Sequence, residues 1–408
     1  MKKFLILTAA AVAVFASCAK TIDHTRNTGQ GDALSFGVYA GRSADTKATY
    51  GDITTDNLKT STDGFGVFAF YTKEVDWAAT DKPNFMYNQQ VRHITSYASY
   101  PTDYTTSKYP SEWYYTPLKY WPNGQNSTAY EAATTSADKL SFFAYAPHIA
   151  VSAGAPVTAT PADGEGITAV SLNSAAGIPT IGFTVPSKAE EQIDLLWANP
   201  VLNATKKTLA GRVELTFKHA LAKLNIQVRT VADDLTGATA NLADETKVIL
   251  ESLTLTANGT KSGKLSIGSG NATPNWGELS GNTAVAYGSG SFSATETVNG
   301  KTGFNVTETA TDLNSAKSPM IIPATIAAGG FVITANYWVI TADDKLDGSY
   351  STIQNNITKT STAAMTFEAG KKYNIIVNLG INSVDFVVSE VTEWDSQAAV
   401  DYHLPQNS

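Results

Sequence analysis

Short runs in which apolar and polar side chains alternate are the feature that most constrains how this chain folds. In one such run the apolar residues occupy every second position, at Leu34, Phe36, Val38 and Ala40. The same period of two returns in residues 331–339. A period of two places one set of side chains on one face of a β-strand. Helical periodicity is scarce, and only 16% of the residues are charged, against about a quarter in an average domain. The sequence therefore predicts an all-β fold.

Two runs lack this alternation because both of their parities are apolar. They cover residues 67–71 and 140–146. A strand that is apolar on both sides has both of its faces covered by other parts of the protein. We therefore predict that these two runs are central strands between covered surfaces.

Two local patterns predict where strands turn or break. Asn258-Gly259 lies between two leucine-containing runs, which is a strong signal for a two-residue hairpin turn. The apolar parity also changes between Phe217 and Leu224, across residues 219–222. A shift of one residue exchanges the two faces of a strand, so this change predicts a bulge or a strand break.

The length of 408 residues suggests two or three domains of ordinary size. Residues 203–211 contain few large apolar side chains and are the best candidate for a linker. We predict two β-sandwiches in tandem, each with its own core. Their predicted bounds are residues 33–208 and residues 209–395, with a C-terminal tail at residues 396–408.

The beginning of the chain resembles an export signal. Lys2 and Lys3 precede an apolar run, residues 4–15, which is shorter than the about 20 residues that cross a bilayer. Phe15-Ala16-Ser17-Cys18 resembles the lipobox of bacterial lipoproteins. We predict a signal peptide at residues 1–17 and a lipid on Cys18, the anchor in the outer membrane. The alternative is an ordinary signal peptide with a chance cysteine.

The search for catalytic, cofactor-binding and metal-binding residues finds none. The chain has one Cys and five His, a net charge of −8 and no basic stripe, which excludes Cys-rich metal sites and argues against nucleic acid as a partner. Asp343, Asp344 and Asp347 lack the last ligand of a calcium loop, so we predict a solvated hairpin tip. The sequence does not indicate an enzyme.

Aromatic residues crowd residues 86–122, where Trp113, Tyr115, Tyr120 and Trp121 lie. Exposed rings of this kind stack on sugars or contact a partner protein. Buried rings would instead fill the core of the first sandwich. We predict the core position because the rings interrupt strand-like runs rather than loops.

Seven motifs follow one another in the same order as in a known family. They are Phe85-Met86-Tyr87-Asn88-Gln89, Trp113-Tyr114-Tyr115-Thr116-Pro117-Leu118-Lys119-Tyr120-Trp121-Pro122, Leu140-Ser141-Phe142-Phe143-Ala144-Tyr145-Ala146-Pro147, Asp194-Leu195-Leu196-Trp197-Ala198, Phe217-Lys218-His219-Ala220-Leu221-Ala222-Lys223-Leu224, Met320-Ile321-Ile322-Pro323 and Phe367-Glu368-Ala369-Gly370-Lys371-Lys372-Tyr373. With them the chain resembles the fimbrillin-like (Mfa-like, FimA-type) pilus subunits of Bacteroidales from about residue 34 to residue 394.

The resemblance implies two transthyretin-like β-sandwiches, exported as a lipoprotein and polymerised into a fimbrium on the cell surface. In such pilins a trypsin-like protease cuts after a basic residue that follows the first strand. The strand then leaves, and a strand of a neighbouring subunit fills the groove. Residues 18–48 would be the propeptide with the first strand, which carries Leu34, Phe36, Val38 and Ala40.

Two basic residues after this strand are candidate cleavage sites. Thr46-Lys47-Ala48 occupies the frame in which the family has Thr-Arg-Ala, and Arg42 lies just before it. Because of this difference from the family pattern, the cleaved bond could follow either Arg42 or Lys47. It also leaves open an uncut tip or accessory subunit.

The candidate donor strand lies near the C-terminus, where Val384, Phe386 and Val388 alternate with their neighbours. The alternative is that this strand closes its own domain. The partners implied for a pilin are other pilin subunits, the protease and, through Cys18, the outer membrane. The competing function is a surface lipoprotein that binds a host glycan or protein and does not polymerise.

Overall fold

In the computed structural model, the regular secondary structure of the described residues consists almost entirely of β-strands. The described residues are 33–40, 53–109, 111–122, 138–157, 164–188, 191–206, 209, 211–231, 245–268, 273–314 and 318–394. They include one short α-helix, α1 (Thr55–Thr60), and one 3-10 turn (Ile94–Ser96). The predicted all-β fold is confirmed. Within these residues no helix has the length and apolar character needed to cross a membrane.

The strands of the described residues are numbered here in chain order. They are β1 (Ser35–Ala40), β2 (Phe65–Lys73), β3 (Met86–His93), β4 (Trp113–Tyr114), β5 (Lys139–Ala146), β6 (Val151–Ser152), β7 (Ala155–Pro156), β8 (Gly166–Val170), β9 (Thr180–Thr184), β10 (Leu196–Ala198), β11 (Val201–Ala204), β12 (Arg212–His219), β13 (Ala222–Thr230), β14 (Thr246–Ser266), β15 (Asn275–Tyr287), β16 (Glu296–Val298), β17 (Lys301–Val306), β18 (Thr311–Asp312), β19 (Met320–Ile321), β20 (Ala324–Ile326), β21 (Phe331–Ala342), β22 (Tyr350–Thr360), β23 (Met365–Phe367), β24 (Lys371–Leu379) and β25 (Val384–Glu393).

The first sheet has the strand order β1-β12-β10-β5-β2-β3-β4, and β11 also pairs with β5. β2 and β5 lie at its centre, as their two apolar parities predicted. Val67 and Phe142 point into a first core, whereas Phe68 and Phe143 point into a second core on the opposite face. Both faces of the sheet are therefore covered by apolar packing.

Two further sheets enclose a third core. One has the order β18-β13-β24-β25, with β19 paired to β13. The other has the order β16-β17-β14-β21-β22, with β15 and β9 also paired to β14 and β8 paired to β9. Leu224, Leu253 and Ile375 contribute to the third core from β13, β14 and β24. Two small two-stranded sheets, β20-β23 and β6-β7, complete the described strands.

The predicted strand break at residues 219–222 is confirmed. β12 ends at His219 in the first sheet, and β13 begins at Ala222 in a different sheet. Phe217 therefore faces the first core and Leu224 the third, which explains the change of parity. The proposed domain boundary at residues 208 and 209 stays a prediction; β11 and β12, on either side of it, both lie in the first sheet.

The predicted hairpin at Asn258-Gly259 is wrong. β14 runs without reversal through this dipeptide, and its register with β15 shifts between Asn258 and Ser262. Gly259 has a positive φ of 72°, which glycine adopts readily at a bulge as well as in a turn. Leu253 lies in the third core and Leu265 in the second, so β14 joins two cores instead of folding back. The aspartates at residues 343–347 do lie at a hairpin tip, between β21 and β22.

The aromatic residues of the crowded stretch are mostly core residues, as predicted. Trp113, Tyr115 and Trp121 are 6%, 2% and 2% exposed, whereas Tyr120 is 55% exposed. The Trp121 indole N–H donates to the Gly211 carbonyl oxygen at 3.0 Å. A sugar-stacking platform would need the faces of these rings, and among the four only Tyr120 presents a large exposed area.

Replacing Trp121 by Ala should lower the free energy of unfolding by about 3–5 kcal/mol, because it leaves a cavity in the first core. Urea unfolding followed by circular dichroism measures this loss. The matched control is Tyr120→Ala, which should stay within about 0.5 kcal/mol of the wild type, since the ring is exposed. Equal midpoints for Trp121→Ala and the wild type would contradict the core position.

Candidate functional site: the groove filled by β1

β1 lies at one edge of the first sheet. It pairs in parallel with β12, from Ser35 opposite Arg212 to Ala40 opposite Phe217. On the other side of β1, the described contacts of its backbone are at its two ends, where the Leu34 N–H donates to the Lys119 carbonyl oxygen at 2.9 Å and the Thr55 hydroxyl contacts both backbone groups of Ala40. Most of the second edge of β1 therefore carries no paired strand among the described residues.

The inward side chains of β1 fill a groove lined by aromatic rings. Leu34 and Phe36 are 0% exposed and Ala40 is 1% exposed, while Val38 is partly buried against the first core. The centroid of the Phe36 ring lies 5.6 Å from that of Tyr115 in an edge-to-face arrangement. Phe65 and Phe142 also meet Phe36 edge to face, at 6.1 and 6.2 Å. Burial of a Leu or Phe side chain contributes about 1.5–3 kcal/mol, so these contacts dominate the retention of β1.

Side chains from other elements hold the two ends of β1. The Tyr115 hydroxyl donates to the Leu34 carbonyl oxygen at 2.8 Å, and burial raises the pKa of this hydroxyl, which keeps it a neutral donor. At the other end, the Thr55 hydroxyl accepts from the Ala40 N–H at 2.8 Å and donates to the Ala40 carbonyl oxygen at 2.7 Å. Both ends of the strand are thus held by side chains, while its pairing with β12 sets its register.

The outward side of β1 is exposed only near its end, because Ser35 is 5% exposed and Gly37 is also buried. Tyr39 is 56% exposed, and an ion pair of 2.8 Å between Arg212 and Glu214 lies on the neighbouring strand. A Cβ atom on Gly37 would come within 2.0 Å of the Glu214 carboxylate oxygen. Both partners of the ion pair are about half exposed, so a larger side chain at this position would require only that they turn away.

The candidate donor strand lies in another sheet. β25 pairs antiparallel with β24, from Leu379 opposite Val384 to Lys371 opposite Glu393, and it is an edge strand. Its inward residues Phe386 and Val388 are only partly buried against the third core. Within one chain the structure therefore does not bring the candidate leaving strand and the candidate donor strand together. Cys18, Arg42 and Lys47 lie outside the described residues.

A buried Asp–His pair is the part of this region that residue-by-residue reading missed. One carboxylate oxygen of Asp194 lies 2.9 Å from Nδ1 of His219, and the other accepts the Ile53 N–H at 2.7 Å. Both residues were identified only as members of family motifs. The available signal was a single charged residue beside the apolar run Leu195-Leu196-Trp197. Among the described residues no group of three His, Cys, Asp or Glu side chains could hold a metal ion.

Comparison with known proteins agrees with this architecture. The sequence pattern of the fimbrillin-like family matches residues 25–394. A fimbrium subunit of Phocaeicola vulgatus, Fim1C, is 26% identical in an alignment that covers 98% of each chain. The crystal structure of a fimbrial protein from Bacteroides vulgatus has a TM-score of 0.63 and 24% identity, covering 89% of this chain and 99% of that one; it shows the same fold. The predicted family is therefore confirmed, and the chain belongs to the fimbrillin-like family.

Proposed function

We propose that this chain is a structural subunit of a fimbrium that polymerises by exchange of β-strands. It would be exported as a lipoprotein on Cys18, held first in the outer membrane and then built into a fimbrium on the cell surface. The observation that carries the proposal is β1 itself, an edge strand whose Leu34 and Phe36 fill a ring-lined groove. Removal of such a strand leaves a groove that fits another extended strand.

A cut after Arg42 or Lys47 would release β1 from its covalent connection to the rest of the chain. Both residues fall between Ala40, the last residue of β1, and Ile53. After the cut, β1 would be held by its pairing with β12, by Thr55 and Tyr115, and by burial of its inward side chains. Before the cut it covers the groove and keeps an unpaired edge from joining other chains too early.

An incoming strand can restore what β1 provides, through strand addition. The free edge of β12 offers N–H and carbonyl groups for affinity, and pockets for alternate side chains give specificity. Leu34, Phe36 and Val38 occupy these pockets in the uncut subunit. β25 carries the same spacing in Val384, Phe386 and Val388, with the phenylalanine in the same central position.

Burial favours β25 in a groove that β1 has already left. Phe36 is completely buried in the groove, whereas Phe386 is only partly buried in its own sheet. A phenylalanine that moves from the second environment to the first removes more apolar surface from water, which is favourable by roughly 25 cal/mol per Å². In the groove, Val387 would take the position of Gly37, where the exposed Arg212–Glu214 pair can turn aside.

Trypsin at limiting dose should cut the purified chain once, after Arg42 or Lys47, because the small and polar residues around them have the composition of the connecting segments that proteases cut first. The expected products are a species that lacks β1 and multimers that resist sodium dodecyl sulfate. Mass spectrometry identifies the cut bond, and gel electrophoresis without boiling reveals the multimers. Replacing both Arg42 and Lys47 by Gln provides the control, which should remain intact and monomeric. A cut chain that stays monomeric would contradict a role in the fimbrial shaft.

A peptide of residues 384–394 should bind the cut chain and not the uncut chain, because only the cut chain can open the groove. The same peptide with Phe386 replaced by Ala should bind about 100-fold more weakly, since loss of a buried Phe costs about 3 kcal/mol. A peptide with Ser389→Ala is the control and should bind like the wild type, because Ser389 would take the position of Tyr39, which is 56% exposed. Fluorescence anisotropy with a labelled peptide measures the affinities.

Equal binding of the Phe386→Ala and wild-type peptides would show that β25 is not the donor strand. The peptide experiment avoids truncation of the chain, which would remove the partner of β24 and disturb the third core at the same time. It therefore separates the role of β25 as a donor from its role in its own sheet.

A further inference from the structure

Asp194 is a buried carboxylate that touches two parts of the chain far from it in sequence. Its side chain is 0% exposed and that of His219 is 3% exposed. It precedes β10 and lies between the Ile53 N–H and the His219 ring, at 2.7 and 2.9 Å. A charged group of this kind is costly to bury unless its hydrogen bonds are made, so the positions of Ile53 and His219 depend on each other.

On one side, this contact leads to the end of β1. Ile53 lies two residues before Thr55, whose hydroxyl makes both hydrogen bonds to Ala40. Thr54, between them, caps α1 by accepting the Asn57 N–H at 3.2 Å. The segment from Ile53 to α1 therefore has little freedom to move independently of β1.

On the other side, the contact leads to the end of β25. The His219 ring stacks on the Trp394 ring with centroids 4.1 Å apart and planes 5° apart. The backbone N–H of Trp394 donates to the Gly370 carbonyl oxygen at 2.8 Å. Trp394 packs against the second core, whereas Phe386 and Val388 pack against the third. Trp394 thus fastens the strand to a different part of the protein.

We infer that Asp194 and His219 act as positioning residues that retain β25 for as long as β1 occupies its groove. Asp194 fixes the orientation of the His219 ring, and the ring holds Trp394 at the end of the strand. Displacement of β1 releases Thr55 and Ile53, loosens the Asp194 carboxylate and weakens the stack on Trp394. The consequence for assembly rests on the proposed strand exchange: a subunit would free its own donor strand only after its groove has opened.

Hydrogen exchange of the amides in residues 384–393 of the full-length chain tests the retention without any assembly. Asp194→Asn keeps the size of the side chain and removes its charge, and it should raise this exchange about tenfold. Trp394→Leu, which removes the stacking ring, should do the same, whereas Trp394→Phe keeps a ring and should leave exchange within about twofold. Exchange of β2 and β5 should be unchanged in every variant.

The first sheet supplies a matched control. Glu112 lies 3.0 Å from Nε2 of His93, and the His93 ring meets the Trp113 ring at 5.0 Å. This is a second carboxylate–histidine–tryptophan arrangement, with a carboxylate that is 72% exposed, and its strands β3 and β4 lie in a different sheet from β25. Glu112→Gln should therefore leave exchange of residues 384–393 unchanged. An equal rise in Glu112→Gln, or a rise in β2 and β5 with Asp194→Asn, would show general loosening and overturn the inference.

Coupling to β1 is tested by Thr55→Val, which removes both hydrogen bonds to Ala40 without a cut. It should raise exchange of residues 384–393 in the wild type and have no further effect in Asp194→Asn, because two changes on one route are not additive. Independent, multiplying effects would overturn the coupling. If trypsin does not cut at Arg42 or Lys47, the proposed maturation fails while this result still decides the role of Asp194.

Discussion

Burial of Phe36 and Leu34 beneath an edge strand is the interaction on which the rest of the structure depends. Phe36 belongs to a strand of six residues with one parallel neighbour among the described strands, and Leu34 directly precedes that strand, yet both complete a core of aromatic rings. The first core is therefore closed on this side by an edge strand that pairs with a single neighbour. Interiors pack to high density and tolerate voids poorly, so loss of β1 is a change in the state of the whole first core. An arrangement of this kind suits a protein that exchanges the strand and would be a weakness in one that does not.

The second core joins parts of the chain that are far apart in sequence. It lies on the opposite face of the first sheet and includes Phe68 and Phe143 from the central strands. It also includes Leu221 from the segment between β12 and β13, Leu265 from β14 and the attached ring of Trp394. The halves of the chain are thus connected by packed side chains rather than by a linker alone. The predicted domain bounds were based on a stretch of low hydrophobicity, and such a stretch carries no information about a core that both halves share.

The sequence was informative where local pattern and burial coincide. Alternation identified β1 and the inward side of β25, and double-sided apolar runs identified β2 and β5. The change in which alternate positions are apolar also revealed the break after His219, because β12 and β13 face different cores. Asn258-Gly259 misled because the same dipeptide fits a hairpin turn and a bulge, and pairing of β14 with β9 and β21, far away in sequence, selects the bulge. The clamp of Thr55 on Ala40 and the contact of Ile53 with Asp194 span 15 and 141 residues, and no local pattern predicts such pairs.

The two candidate exchange strands are retained by different kinds of contact. β1 is held by complete burial and by paired ends. β25 instead has one buried inward residue, Val384, and two partly buried ones, Phe386 and Val388. Its exposed positions make polar contacts, such as Asp385 with Lys359 at 3.3 Å and Glu390 with Asn374 at 2.7 Å. Exposed polar contacts contribute little to stability, but charges along an edge strand oppose pairing with unrelated chains. The charged edge of β25 therefore protects it against aggregation, although its pairing with β24 along nine positions holds it in its own sheet. On the proposed strand exchange, release of the fastening at Trp394 would let β25 leave its sheet, and an emptied groove of a neighbouring subunit would then bury Phe386 more deeply than its own sheet does.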